Sequence, residues 1–143
     1  MKEFDIATAP GSALAPTYEH ALVSDVMRHG VISCGPEASV REITRIMASY
    51  HVHAVVVALR EDIWGVISAT DVLKVAGTER ERLSAGEIAA TEFVTIPPET
   101  PLTEAAEIMR GHEIDHVVVS DAGRPVGMLS TLDVAGTLAW GEA

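Results

Sequence analysis

The residue types best suited to chemistry stand in two serine–aspartate pairs. Ser68 and Asp71 are three apart, as are Ser130 and Asp133, and each serine directly follows an apolar run, Gly65-Val66-Ile67 or Gly127-Met128-Leu129. A serine followed three residues later by an acidic side chain has the spacing of a capping box, in which both side chains satisfy backbone N–H groups at a helix start. The same atoms can do more. A carboxylate can accept both hydrogens of a cis-diol, and a charge-assisted hydrogen bond is about twice as strong as a neutral one. The first N–H groups of a helix lack internal partners and attract anions. Capping and ligand binding are both open to these residues, and the two roles are compatible.

Other reactive side chains are less well placed. His51 and His53 alternate onto one face of a predicted strand, and His112 and His116 lie four apart across a predicted helix end. No acidic or cysteine ligand is fixed beside either pair, so no metal site is expected. Cys34, the lone cysteine, can form no internal disulfide, as a reducing compartment permits, and fits a small buried filler. No nucleophile with a neighbouring base and no paired acid and base stand at a spacing that demands chemistry. The expectation is a protein that is not an enzyme.

What positions the two pairs is an internal repeat. Setting Pro36-Glu37 on Pro98-Glu99 fixes an offset of 62 residues. Without a gap, that offset carries Glu42 onto Glu104, Ile46-Met47 onto Ile108-Met109, Val55-Val56-Val57 onto Val117-Val118-Val119, Gly65 onto Gly127, Ser68 onto Ser130 and Asp71-Val72 onto Asp133-Val134. Shared composition would not hold such a register across helix-like and strand-like stretches alike.

Each copy reads β-α-β-β-α. In the first, a short strand at 31–32 ends at Ser33, Pro36 breaks it, and Ser39 with Glu42 caps a helix whose Val40, Ile43, Ile46, Met47 and Tyr50 share one face. Residues 52–58 are too apolar and β-branched for a surface helix and predict a buried strand. Residues 59–62 turn, 64–67 make another strand, and Ser68 opens a second helix through Asp71, Leu73 and Val75. In the second copy 93–96 is a strand, and Thr100 is the expected N-cap ahead of Pro101 at the first helical position. Leu102, Ala105, Ala106 and Met109 make the stripe, strands at 117–120 and 126–129 flank a turn at 121–124, and a helix runs from Ser130 toward Trp140. Residues 78–82 predict a mobile charged connector. Residues 1–20 predict a tail, in which Phe4, Leu14 and Tyr18 are candidates for docking, and the repeats are placed at 21–80 and 81–143.

Composition narrows the partners. A chain of 143 residues, 48% hydrophobic but only 4% aromatic, suits one domain or two halves sharing a core of Val, Ile, Leu, Ala and Met. Ten basic against 21 acidic residues give a net charge of -11, so neither nucleic acid nor an anionic membrane is an expected partner. No apolar run approaches the ~18 residues of a membrane span, and no leader-like run follows Met1. A soluble cytoplasmic protein is expected.

A tandem β-α-β-β-α unit ending in Gly65-Val66-Ile67-Ser68-Ala69-Thr70-Asp71 and again in Gly127-Met128-Leu129-Ser130-Thr131-Leu132-Asp133 resembles the cystathionine β-synthase (CBS) domain family. Asp25-Val26-Met27 ahead of the first strand, and Ser33-Cys34-Gly35-Pro36 beside Thr95-Ile96-Pro97-Pro98, extend the resemblance over roughly residues 22–140. The resemblance implies an α/β fold, two repeats packed with pseudo-twofold symmetry, and clefts that take adenosine-containing ligands such as AMP, ATP, NAD or S-adenosylmethionine. By position it implies Asp71 and Asp133 on the ribose hydroxyls, Ser68, Thr70, Ser130 and Thr131 near phosphate or a similar group, and the backbone at Ile32-Ser33 and Val94-Thr95 on the adenine edge. Where many relatives carry a basic residue that reaches phosphate, this sequence has His53 in one copy and Asp115 in the other. His53 is a candidate phosphate contact, whereas Asp115 makes its site phosphate-poor or empty, so the two sites are expected to be unequal.

The resulting expectation is a regulatory module with no obligatory cofactor. It binds an adenosine derivative between the repeats, pairs into a homodimer through apolar helix faces to which Tyr50, Met47, Met109 and Trp140 are core or dimer contributors, and acts on a separate effector protein. The alternative is a ligand-independent dimeric interaction scaffold in which the serine–aspartate pairs are caps alone.

Overall fold

The computed structural model describes residues 16–141. Along the chain run α1 (Val23–Val26), β1 (Arg28–His29), β2 (Ser33–Cys34), α2 (Val40–Tyr50), β3 (Ala54–Leu59), β4 (Asp62–Ser68), α3 (Ala69–Val75), a 3₁₀ turn (Glu79–Arg82), α4 (Ala85–Ile88), β5 (Thr95–Ile96), α5 (Leu102–His112), β6 (His116–Asp121), β7 (Arg124–Ser130) and α6 (Thr131–Trp140). The fold is mixed α/β, with each expected β-α-β-β-α order present.

The chain divides into two compact units. Among the described residues, one holds 16–29, Thr95–Ser120 and 127–141; the other holds Gly30–Val94 and Asp121–Val126. The second contains a three-stranded sheet in the order β2-β3-β4, with β2 parallel and β4 antiparallel to β3. Val55, Val56 and Val57 are all buried, so this strand is covered on both faces, which explains its unbroken apolar run. Ile43 and Met47 of α2 pack with Val55, Val57, Ile67 and Ala85 into one core cluster. The capping box of α2 is formed as its spacing predicts, with Ser39 Oγ accepting from the Glu42 N–H at 3.1 Å and Glu42 Oε1 accepting from the Ser39 N–H at 2.8 Å.

The other sheet has the order β1-β7-β6-β5; its Val117, Val119 and Leu129 are buried, as are Val23 of α1 and Leu102, Ala105 and Met109 of α5. The repeat is kept at the level of backbone detail. Helices α2 and α5 end on left-handed residues, His51 and Glu113, both at φ 55. Arg28 pairs with Met128, and the isolated bridge between Val66 and Ala90 is the same pairing moved by 62 residues. The lead-in segment of each repeat thus joins the last strand of the other repeat.

Several expectations are corrected. The first strand lies at Ser33–Cys34 rather than 31–32, although the Ile32 carbonyl accepts from the Val56 N–H at 2.9 Å. Thr100 is not the N-cap of α5. Pro101 takes that place, the Thr100 hydroxyl donates to the Pro97 carbonyl, and the Thr100 carbonyl accepts from Val23. Residues 79–82 of the connector form a 3₁₀ turn capped by the Thr78 hydroxyl. Tyr50 stays 56% exposed and so is no part of the core, since the helix reaches its left-handed end one residue later. The hairpin loops are shorter than predicted, because Leu59, Asp62, Asp121 and Arg124 all belong to strands. Phe4 and Leu14 lie outside the described residues; Tyr18 is half-buried.

Candidate functional site

Both serine–aspartate pairs sit where a strand turns into a helix. Ser68 ends β4 and caps α3: its hydroxyl oxygen accepts from the Asp71 N–H at 3.1 Å, while Asp71 Oδ2 accepts from the Ser68 N–H at 2.9 Å. Ser130 and Asp133 repeat this at the start of α6, at 3.2 and 2.9 Å. The pairs are therefore real caps. Each aspartate commits only Oδ2, and its Oδ1 has no partner among the described residues. Each serine accepts with its oxygen and keeps its hydroxyl hydrogen for another acceptor. All four residues are half-buried, open enough for a ligand and sheltered enough for its hydrogen bonds to count.

The neighbouring strands bring most of the other named residues to the same places. Ser68 pairs with Ala54, and Ser33 with Val56, so Ile32-Ser33 and the α3 cap flank the first half of β3. The His53 carbonyl accepts from the Ala69 N–H at 2.7 Å, which fixes His53 beside the cap, and Thr70 is exposed on the first turn. Around α6, the Asp115 carbonyl accepts from the Thr131 N–H at 2.9 Å, and Thr95 pairs with Val118. Val94 immediately precedes β5. Side chains diverge from this shared backbone plan. Asp115 and Thr131 line a groove of about 550 Å³ framed by α5 and α6, in which Ser130 and Asp133 take no part.

Burial, with the nearby Glu42 carboxylate adding to it, raises the Cys34 thiol above its ordinary pKa, so Cys34 is a poor nucleophile here. Hydrogen bonds from the backbone and hydroxyl of Ser84 lower the Glu87 carboxyl. Glu87 caps α4 as Asp25 caps α1, each accepting a backbone N–H at 2.8 Å. These two caps were missed in the sequence, where the one signal was an acidic residue recurring at the offset of 62. Among the described residues no three His, Cys, Asp or Glu gather into a metal-binding group, and no helix is long and apolar enough to cross a membrane.

A family model for the CBS domain matches residues 23–77 and 85–139. Over 105 residues, 73% of the chain, it is 30% identical to an inosine-5'-monophosphate dehydrogenase of Korarchaeum cryptofilum, but the match spans 21% of that enzyme. It is 25% identical to the CBS domain-containing protein YhcV of Bacillus subtilis, over 79% of this chain and 82% of that one. Among solved structures, the CBS domain pair of protein MJ0100, in complex with 5'-methylthioadenosine and S-adenosyl-L-methionine, superposes with a TM-score of 0.74 at 21% identity, covering 80% of this chain and 93% of that one.

Proposed function

The chain belongs to the CBS-domain family, and from that premise we propose that it is a non-catalytic sensing module that binds adenosine-containing small molecules at the starts of α3 and α6. The observation that carries this reading is the duplicated cap, whose aspartates each keep one carboxylate oxygen open beside a half-buried helix start. Asp71 and Asp133 take the ribose hydroxyls. Ser68, Thr70, Ser130, Thr131 and His53 meet phosphate or the ligand's tail, and the backbone at Ile32, Ser33, Val94 and Thr95 reads the adenine edge. Support for the ligand class comes from the fold shared with the MJ0100 pair, which was solved with two adenosine derivatives.

The module works in the cytoplasm as a homodimer, with residues 21–80 and 81–143 as its two repeats. Binding shifts the population of its conformations, and a separate effector protein reads the shift. One observation favours the alternative of a ligand-independent scaffold: α6 buries none of its residues, so a protein surface waits to be covered whether or not a ligand is present.

Equilibrium dialysis and thermal shift with AMP, ADP, ATP, NAD and S-adenosylmethionine decide between them. Binding of at least one, lost on Asp71→Asn together with Asp133→Asn, is the expected result. No binding by any of them, and no small molecule released on denaturing the purified protein, leaves the scaffold.

A further inference from the structure

The described residues leave an apolar face of α6 open. Val134, Ala135 and Leu138 of α6, with Ala106 and Met109 of α5 and Ile114 just after it, line a groove of about 550 Å³. Leu138 is 63% exposed there. Apolar surface left open in this way marks an interaction site.

The course of the chain at Pro16 identifies the occupant. Val134, Leu138 and Gly141 stand at i, i+4 and i+7, which is one face of a helix. Gly141 keeps the helical spacing because its N–H donates to the Thr137 carbonyl at 2.8 Å. On that face a Cβ at Gly141 would meet the Pro16 carbonyl oxygen at 2.7 Å and the Thr17 Cα at 3.2 Å, too close for any side chain. Pro16 therefore lies against the end of the face that carries the groove. Residues 1–15 precede it, Leu14 among them, with Ala13 and Ala15 on either side. Leu14 is within about 7 Å of extended chain from Pro16, and Leu138 is about 4.5 Å along the helix axis from Gly141. The leucine of the segment and the leucine of the groove are thus in reach of each other. A segment tethered this closely is present at an effective concentration on the order of millimolar, which any second protein must exceed.

We propose that the segment before Pro16 is the occupant of the α5–α6 groove, with Leu14 as its anchor beside Leu138 and Ala135. Pro16, whose φ is fixed and which has no N–H to donate, sets the direction in which the segment leaves. The segment is an intramolecular cover that shields this face from solvent and from other proteins. It is independent of ligand binding at the starts of α3 and α6, and it places a condition on the homodimer: a second copy can use this face only by displacing the segment.

Alkylation of a groove cysteine tests the cover in the full chain. In a Cys34→Ser background, Ala135→Cys puts a thiol on the groove wall. Its reaction with a bulky maleimide is timed by mass spectrometry over about a hundredfold range of protein concentration, with light scattering alongside. The reaction should be slow at every concentration, Leu14→Asp should quicken it about tenfold, and Leu14→Met should keep it slow. An equal rate in the native and Leu14→Asp chains overturns the proposal. So does protection that fades on dilution as a dimer mass falls to a monomer mass, because a second copy is then the cover. As a second arm, Leu14→Cys with Ala135→Cys should form a disulfide within one chain about tenfold faster than Leu14→Cys with Ala139→Cys. Ala139 is nearer to Gly141 along the chain and exposed, but does not line the groove, so tethering alone would favour it. Equal rates, or faster reaction at 139, also overturn the proposal.

Discussion

Asp71 and Asp133 each hold their own helix with one oxygen and leave the other open, so substitutions can separate capping from binding. Alanine removes the carboxylate from both roles while the serine oxygen still caps the backbone N–H, so only the aspartate's half of the capping box is lost, at a cost of roughly 0.5–1 kcal/mol. Asparagine keeps an oxygen for the serine N–H but lacks the charge that makes a diol contact strong. In urea unfolding, Asp71→Ala and Asp133→Ala should each lower stability by roughly that amount, and the asparagine variants by clearly less. In dialysis both types should lose affinity, and unequally between the two positions, because His53 stands beside one cap and Asp115 beside the other; equal losses would sink the asymmetry. Cys34 offers a second check. Its raised thiol pKa means less thiolate at any pH below that value, so alkylation at pH 8 should run several-fold slower than for free cysteine, and Glu42→Gln should quicken it. The two capping boxes were legible because they depend on residue type and short spacing. Thr100 was misread for the opposite reason: its partners, Pro97 and Val23, are fixed by how the chain packs and not by local preference.

At the level of elements, long periodic segments were readable and short lead-in segments were not. The stripe on α2 and the triple valine of β3 announced themselves, whereas α1 and α4 are four-residue helices too short to show a period. What fixes them is close packing against the last strand of the other repeat, and the glycines there carry the signal. A Cβ on Gly127 would lie 2.5 Å from the Arg28 carbonyl oxygen and 2.8 Å from Met27 Sδ, and one on Gly65 would lie 2.7 Å from the Ala90 carbonyl oxygen. Because backbone cannot yield as a flexible side chain does, Gly127→Ala and Gly65→Ala should each destabilise by roughly 1–3 kcal/mol, seen as a lower urea midpoint. The reverse holds at the β6–β7 turn, where Ala122 sits at φ 54 without needing its methyl group. Ala122→Gly should raise that midpoint, since relief of left-handed strain of about 1 kcal/mol outweighs the added chain entropy.

The whole molecule carries a net charge of -11, and that field bears on which adenosine derivative the proposed sites would accept. Local N–H groups and hydroxyls can hold a phosphate, but every added phosphate must approach an acidic surface, and at α6 also the exposed carboxylate of Asp115. Repulsion between exposed charges fades beyond a Debye length of about 10 Å at 0.1 M salt. Two consequences can be measured together. Affinity should fall from neutral or cationic ligands, such as 5'-methylthioadenosine and S-adenosylmethionine, through AMP to ATP. Raising salt from 0.05 to about 0.5 M should strengthen ATP binding several-fold while leaving the neutral ligand nearly unchanged. Asp115→Asn should narrow the gap at the α6 site, and the α3 site, with His53 in the corresponding place, should be the more tolerant of phosphate from the start. Titration calorimetry of the Asp71→Asn and Asp133→Asn variants, each leaving one site intact, reads the two separately. If ATP instead binds best and weakens with salt, a local cationic cradle must dominate over the net field, and the phosphate-poor assignment at Asp115 fails.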